Sequence, residues 1–262
     1  MDGVNDIRLA FDQVPELYER IRPGYPDELF DLLFDTLPAK PAILEVGPGT
    51  GQATAGLIER GAEVTAVEIG PRLAAALEDK FRQATALRVV NASFETAELP
   101  ISHFDAVFSA TAYHWIDPSQ RLERPYQLLK PTGVLAIMDL IQVDSAADRG
   151  YFDRVQPIYN AFGDSRHESS PPTHETALPS IARELKSSSL FVDIEVHRVP
   201  WDQTYTSAEY RDLLFTYSGT RMMPLQSRNE LVTQLVSVID EEFDGTVIRP
   251  LVATLTLARL SP

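Results

Sequence analysis

The sequence predicts an α/β fold, a doubly wound sheet of mostly parallel strands with helices on both faces. Three observations carry that expectation. Short apolar runs alternate with helical stretches of about 10–15 residues between positions 42 and 141, the pattern of βαβ units. A glycine-rich turn joins the first apolar run to the first of these helices. Right-handed crossovers then distribute the helices over both faces of the sheet.

The elements follow in order. Residues 1–41 are polar and aromatic, with Pro15, Pro23, Pro26, Pro38 and Pro41. A helix is expected near Pro26–Thr36, Pro26 suiting a first helical position. Leu29, Leu32, Leu33 and Leu37 then share one face. Ala42–Val46 reads as the first strand and Gln52–Arg60 as a helix closed by Gly61. Val64–Val67 is a second strand, Pro71–Gln83 a helix opened by its proline, Leu87–Val90 a third strand and Asp105–Ser109 a fourth. Asp117 and Pro118 predict the start of a helix reaching Leu129. Lys130–Gly133 reads as a turn and Val134–Ile141 as a fifth strand. Farther on, helices are expected over Tyr151–Phe162 and Ala177–Leu190, a mobile loop over Gly163–Pro179, and a strand over Phe191–Val199. Thr206 with Glu209 and Ser227 with Glu230 match capping boxes at the starts of two further helices. Val252–Ala258 alternates and predicts a final edge strand. No repeat appears, and no linker that would split off a second domain.

Composition narrows the function classes. Acidic residues number 38 against 23 basic, a formal net charge of −15. So acidic a surface repels phosphate backbones, so neither a nucleic acid nor a membrane is an expected partner. Without cysteine there is no disulfide, thiolate metal site or cysteine nucleophile. The first residues lack the pattern of a signal peptide, and no apolar run approaches the roughly 20 residues that span a bilayer. A cytoplasmic protein is expected. His103, His114, His167, His174 and His197 form no metal-ligand spacing, so no metal is expected.

The most informative stretch is Ile43-Leu44-Glu45-Val46-Gly47-Pro48-Gly49-Thr50-Gly51-Gln52. Alternating glycines let the backbone turn tightly and let a ligand touch the main chain. The helix that follows points free N–H groups at that ligand. Glu68 ends the second strand, close to where an acid accepts hydrogen bonds from ribose hydroxyls. An adenosine-containing ligand is therefore expected. The alternative is that the glycines only close a turn and Glu68 caps the next helix.

The spacing is Glu-x-Gly-x-Gly-x-Gly, with Gln52 where a dinucleotide fingerprint has its third glycine. It resembles the first motif of the class I S-adenosylmethionine-dependent methyltransferases. Asn91-Ala92-Ser93-Phe94-Glu95 after the third strand, Phe104-Asp105-Ala106-Val107 opening the fourth, and Leu128-Leu129-Lys130-Pro131-Thr132-Gly133-Val134-Leu135 leading into the fifth extend the likeness. Thr132 replaces one glycine of the family pattern. Tyr18-Glu19-Arg20-Ile21-Arg22-Pro23-Gly24-Tyr25-Pro26 resembles the N-terminal segment of the small-molecule branch, near the type 11 and trans-aconitate-type enzymes. The likeness covers about residues 11–141.

The resemblance implies a Rossmann-like methyltransferase fold with seven strands. Residues 1–41 would form an N-terminal lid, and 42–262 the cofactor-binding domain. Helical segments at 143–190 and 202–245, after strands five and six, would form a cap. The implied cofactor is S-adenosylmethionine. Gly47, Gly49, Gly51 and Gln52 would hold its methionine part, with Glu45 fixing the loop or the amino group. Glu68 would take the ribose, Ile69 would pack on the adenine, and Ser93 and Phe94 would line its pocket. Tyr18 and Arg22 would close over the cofactor, Arg22 as a carboxylate partner.

Ligands of open α/β sheets sit beyond the carboxyl ends of the strands. Ser109 and the loop to Asp117 should therefore face the ligands, with Tyr25, His114 and Trp115 toward the substrate. His114 is the candidate catalytic base, because histidine titrates near neutrality. No Asn- or Asp-Pro-Pro-aromatic motif follows the fourth strand, which weighs against a nucleobase nitrogen as acceptor. Tyr126 and Lys130 match the Tyr-x-x-x-Lys spacing of short-chain dehydrogenases, but Pro131 stops the helix where theirs continues. Methyl transfer to a small-molecule acceptor is the expected function. The alternatives are a non-catalytic binder of the same cofactor and a nicotinamide-dependent oxidoreductase. The oligomeric state is not readable from the sequence.

Overall fold

The computed structural model describes residues 12, 15–163 and 171–261. Residues 164–170 of the loop expected over Gly163–Pro179, His167 among them, lie outside the described residues. The chain divides into two compact units. One gathers residues 24–140, 178–199 and 253–262 around a sheet; the other gathers 1–23, 141–177 and 200–252.

The sheet unit holds seven strands in the order β3-β2-β1-β4-β5-β9-β6. They are β1 (Ala42–Val46), β2 (Glu63–Glu68), β3 (Leu87–Asn91), β4 (Phe104–Ala110), β5 (Leu129–Gln142), β6 (Phe191–Pro200) and β9 (Leu251–Leu260). β1 pairs in parallel with β2 and β4, β2 with β3, and β4 with β5. The order reverses between β1 and β4, the switch point beyond which α/β sheets bind ligands. β4 is buried from Phe104 to Ser109, as strands covered on both faces must be. At the amino end, the carboxylate of Asp105 accepts from the Ala42 N–H at 2.9 Å and from Lys130 Nζ at 2.8 Å, tying three strands together.

The helices of this unit are α2 (Asp27–Phe34), α3 (Gln52–Glu59), α4 (Pro71–Lys80), α5 (Glu123–Leu128) and α7 (Ser180–Ser187). Pro26 is the N-cap of α2 rather than its first residue. Leu29 and Leu33 are buried as expected, and Phe30 joins them. A Cβ on Gly56 of α3 would stand 2.8 Å from the Phe30 ring, so α2 packs against α3 through that glycine.

Three expectations are corrected. β9 is not an edge strand: it lies between β5 and β6, and Leu251–Ala258 are all buried. The edge belongs to β6, whose exposed Asp193, Glu195 and Arg198 suit a strand facing water. The helix expected from Pro118 is only α5, because Pro125 cannot continue a helix begun at 118. Lys130–Gly133 lies within β5, at an irregularity in its pairing with β4.

The second unit contains α1 (Pro15–Ile21), α6 (Tyr151–Ala161), α8 (Ser207–Leu214), α9 (Ser218–Met222), α10 (Leu225–Glu242) and an antiparallel pair of β7 (Gln203–Thr206) with β8 (Thr246–Arg249). Its core joins Tyr151, Tyr210, Leu213, Leu235 and Ile239. Thr206 and Glu209 form the expected capping box at α8. Ser227 does not cap: α10 begins at Leu225 behind Pro224, which leaves Ser227 inside the helix.

Candidate functional site

β1 delivers the chain into the glycine turn at the carboxyl edge of the sheet. Gly47 and Gly51 have φ of 69° and 89°, left-handed conformations that residues with a Cβ rarely adopt. Gly51 is the N-cap of α3. A Cβ on Gly47 would stand 2.6 Å from Ala112 Cβ, so the turn and the loop after β4 touch. Ser109 is fully buried and donates to the Val46 carbonyl at 2.8 Å. Gln52 Nε2 donates to Thr50 Oγ1 at 2.8 Å, inside the same turn.

Two buried carboxylates lie under this turn. Glu68, 4% exposed, accepts from the N–H of Gly49 at 3.0 Å and of Gly70 at 2.8 Å. It therefore braces the turn and the start of α4 together, as well as ending β2. Glu45, 1% exposed, accepts from the Thr54 hydroxyl at 2.6 Å. Burial pushes the Glu45 pKa up to about 7; the Thr54 bond opposes the rise, and the neighbouring Glu68 adds to it. Two acids sharing a low-dielectric pocket favour a cationic ligand, whose charge offsets theirs. Backbone N–H groups, a helix N-terminus and this acidic floor fit the ammonium, sulfonium and ribose of S-adenosylmethionine.

The remaining sequence candidates are distributed as follows. Asn91 Nδ2 donates to the carbonyls of Glu68 and Ile69 and so fixes the half-buried Ile69 at the tip of β2. Ser93 donates to the Glu95 carboxylate, whose other oxygen receives the Asp117 N–H at 3.0 Å. Phe94 is 4% exposed, packs in the core beside Val46 and Val67, and carries Arg124 over its ring. The Tyr25 hydroxyl bonds Thr111 Oγ1 at 2.8 Å. His114 is exposed on a short turn, its ring 4.8 Å from that of Trp115. Partial desolvation lowers its pKa, so it is neutral at pH 7. Tyr18 and Arg22 belong to the other unit, where the Arg22 guanidinium stacks on Tyr18 and donates to the Thr216 carbonyl.

Sequence reasoning passed over Asp139. The register pairs Ala110 with Met138, and the Thr111 N–H donates to the Met138 carbonyl, so Asp139 stands one residue farther along β5 at the ligand edge. Burial pushes its pKa up to about 7. The signal was present: a single acid interrupts the apolar run 133–141, and an acid inside a central strand carries a desolvation cost that packing does not explain.

Comparison with known proteins agrees with this geometry. Residues 44–137, from within β1 to within β5, match the family model of a methyltransferase domain. A protein of Mycobacterium tuberculosis (strain H37Rv) named as an uncharacterized methyltransferase is 29% identical over 88% of this chain and 85% of its own length. The fold is that of a Bacillus halodurans protein described as a putative methyltransferase, with a TM-score of 0.57 and 15% identity over 90% of this chain and all of that one. It is shared by phosphoethanolamine N-methyltransferase 2 of Haemonchus contortus, solved with S-adenosyl-L-methionine, with a TM-score of 0.56 and 18% identity over 99% of this chain and 61% of that one. The domain match from β1 to β5, and a relative named as a methyltransferase along most of the chain, make this chain similar to the class I S-adenosylmethionine-dependent methyltransferases of the type 11 branch.

Proposed function

We propose that the protein transfers the methyl group of S-adenosylmethionine to a small-molecule acceptor in the cytoplasm. The observation that carries the reading is the glycine turn braced by Glu68 above a second buried acid, Glu45. The bound cofactor supplies an activated methyl group on a sulfonium, with a neutral thioether as leaving group. Gly47, Gly49, Gly51 and Gln52 position the methionine end through the main chain. Glu68 accepts from the ribose, and Ile69 and Ser93 bound the adenine. Phe94 supports that wall from the core side. The chain's main task is alignment, which holds the acceptor in line and excludes water.

Where the acceptor loses a proton as it attacks, Asp139 takes it, and Tyr25 with Thr111 orients the acceptor beside it. A carboxylate with a pKa near 7 is well matched to that role at neutral pH. His114 and Trp115 then serve as acceptor contacts. The acidic net charge weighs against a nucleic-acid polymer or an anionic membrane as the acceptor.

Calorimetric titration of S-adenosylhomocysteine tests the site. Wild type is expected to bind in the micromolar range, and Glu68→Ala to lose about 1–3 kcal/mol, the cost of removing a charged hydrogen-bond partner. Unchanged affinity in that variant, or preferential binding of a nicotinamide dinucleotide, would overturn the reading. Affinity should also depend on pH. The ligand's ammonium favours ionised Glu45, so binding should strengthen as pH rises through about 7 and level off above it. Glu45→Gln should flatten that profile between pH 6 and 8; an equally steep profile in the variant would remove Glu45 from the site.

A further inference from the structure

The last residue of α4 is Lys80, and Phe81 caps the helix. The methyl-transfer reading uses neither, yet both reach the glycine turn. Lys80 Nζ donates to the Thr50 carbonyl at 3.2 Å and lies 5.3 Å from the centre of the Phe81 ring. Phe81 and Leu77 close on the next residue of the turn. A Cβ on Gly51 would stand 2.6 Å from Leu77 Cδ1 and 2.6 Å from Phe81 Cε2. The end of α4 is therefore packed against the middle of the turn, with the Lys80 ammonium aimed at a main-chain oxygen.

That oxygen depends on the lysine. Among the described residues no main-chain N–H donates to the Thr50 carbonyl, because the first bond of α3 runs from the Ala55 N–H to the Gly51 carbonyl at 3.3 Å. Thr50 is 2% exposed, and a buried carbonyl without a donor is costly. The N–H of the same peptide, on Gly51, points the opposite way and donates to the Pro48 carbonyl at 2.9 Å. The Thr50–Gly51 peptide is thus held at both ends. Glycines flank Thr50 on either side, so the turn itself resists rotation of this peptide only weakly. Its orientation has to be chosen from outside. Glu68 does the same for the preceding part of the turn by accepting from the Gly49 N–H. A carboxylate fixes one peptide and an ammonium fixes another. A lysine at a helix end ordinarily complements the helix dipole. This one also reaches a carbonyl 30 residues earlier in the chain.

We propose that Lys80 is a positioning residue for the cofactor. By fixing the Thr50–Gly51 peptide it sets the shape of the turn that receives the methionine end of S-adenosylmethionine. It acts through the main chain of the turn rather than through a contact of its own. The inference rests on the reading of the glycine turn as the seat of the cofactor.

The test is calorimetry of the whole chain with S-adenosylhomocysteine and with 5′-methylthioadenosine, which lacks the amino-acid end. Lys80→Met keeps an apolar stem beside Phe81 and loses the donor. It should weaken S-adenosylhomocysteine about tenfold and barely affect 5′-methylthioadenosine. The melting temperature should stay close to that of wild type, since Lys80 is exposed. Lys80→Arg keeps a cationic donor of similar reach and should recover most of the lost affinity. In Lys80→Met, amide hydrogen exchange should quicken across residues 47–52 and stay as in wild type across α4. With a methyl acceptor in hand, KM for S-adenosylmethionine should rise more than kcat falls. The proposal is overturned if Lys80→Met binds S-adenosylhomocysteine as wild type does, if it weakens both ligands equally, or if Lys80→Arg is no better than Lys80→Met. Glu68→Ala separates this failure from that of the site. Affinity lost in Glu68→Ala and kept in Lys80→Met overturns the role of Lys80 alone, whereas affinity kept in both variants removes the cofactor from the turn.

Discussion

Asp139→Asn is expected to lower kcat by about a hundred- to ten-thousand-fold, the usual contribution of a positioned general base. The affinity for S-adenosylhomocysteine should barely change, since the variant is nearly isosteric and stands on β5, away from the glycine turn after β1. The measurement is release of S-adenosylhomocysteine with a panel of small carboxylic acids and phenols as acceptors. In wild type the rate should climb as pH rises through about 7, where Asp139 loses its proton, and then level off. His114→Gln gives the contrast. A neutral histidine against Trp115 can also accept a proton, so a large loss in that variant with a normal Asp139→Asn enzyme would move the base to His114.

The same carboxylate leaves a mark on stability. Folding raises its pKa from an ordinary 3.8 to about 7, so between those values the native state holds a proton that the unfolded chain has released. Stability contributed by this group is complete below that window and is lost as pH rises across it. Asp139→Asn cannot titrate there. Its melting temperature relative to wild type should therefore be higher at pH 8 than at pH 5.

The sheet was largely legible in the sequence because its signals are local. β1, β2 and β4 are short apolar runs between turn residues, and the helices between them carry proline or glycine at their ends. β9 misled because Thr254 and Thr256 alternate with leucines and mimic a half-exposed strand. In the fold both threonines are buried, and Thr254 meets its need by donating to the Asp139 carbonyl at 3.4 Å. The glycine turn and Glu68 could be read from spacing alone. The Glu45–Thr54 bond joins a strand to the following helix and has no sequence signature. Phe94 was read as lining the adenine pocket, yet its ring is buried in the core, a difference of side-chain direction that spacing does not encode. The approach of Arg249 to Tyr205 depends on the antiparallel pairing of β7 with β8, which lie on either side of α8–α10 in the chain, so nothing local announced it.

Gly47 joins backbone conformation to the shape of the site, and its replacement should be costly for two separable reasons. At φ 69° an alanine carries about 1–2 kcal/mol of left-handed strain. Its Cβ would also stand 2.6 Å from Ala112 Cβ, closer than carbon atoms pack, and overpacking of this kind costs about 1–3 kcal/mol. Gly47→Ala should therefore lower stability by roughly 2–5 kcal/mol. It should also weaken S-adenosylhomocysteine more than a hundredfold, because the turn can relieve the contact only by moving its N–H groups. Ala112→Gly, added to Gly47→Ala, removes the steric contact and leaves the strain. A double-mutant cycle read by urea unfolding should then show a coupling of about 1–3 kcal/mol, with the double variant recovering part of the stability and part of the binding. Additive losses would mean that the two segments do not press on each other, and that the turn after β1 and the loop after β4 are shaped independently.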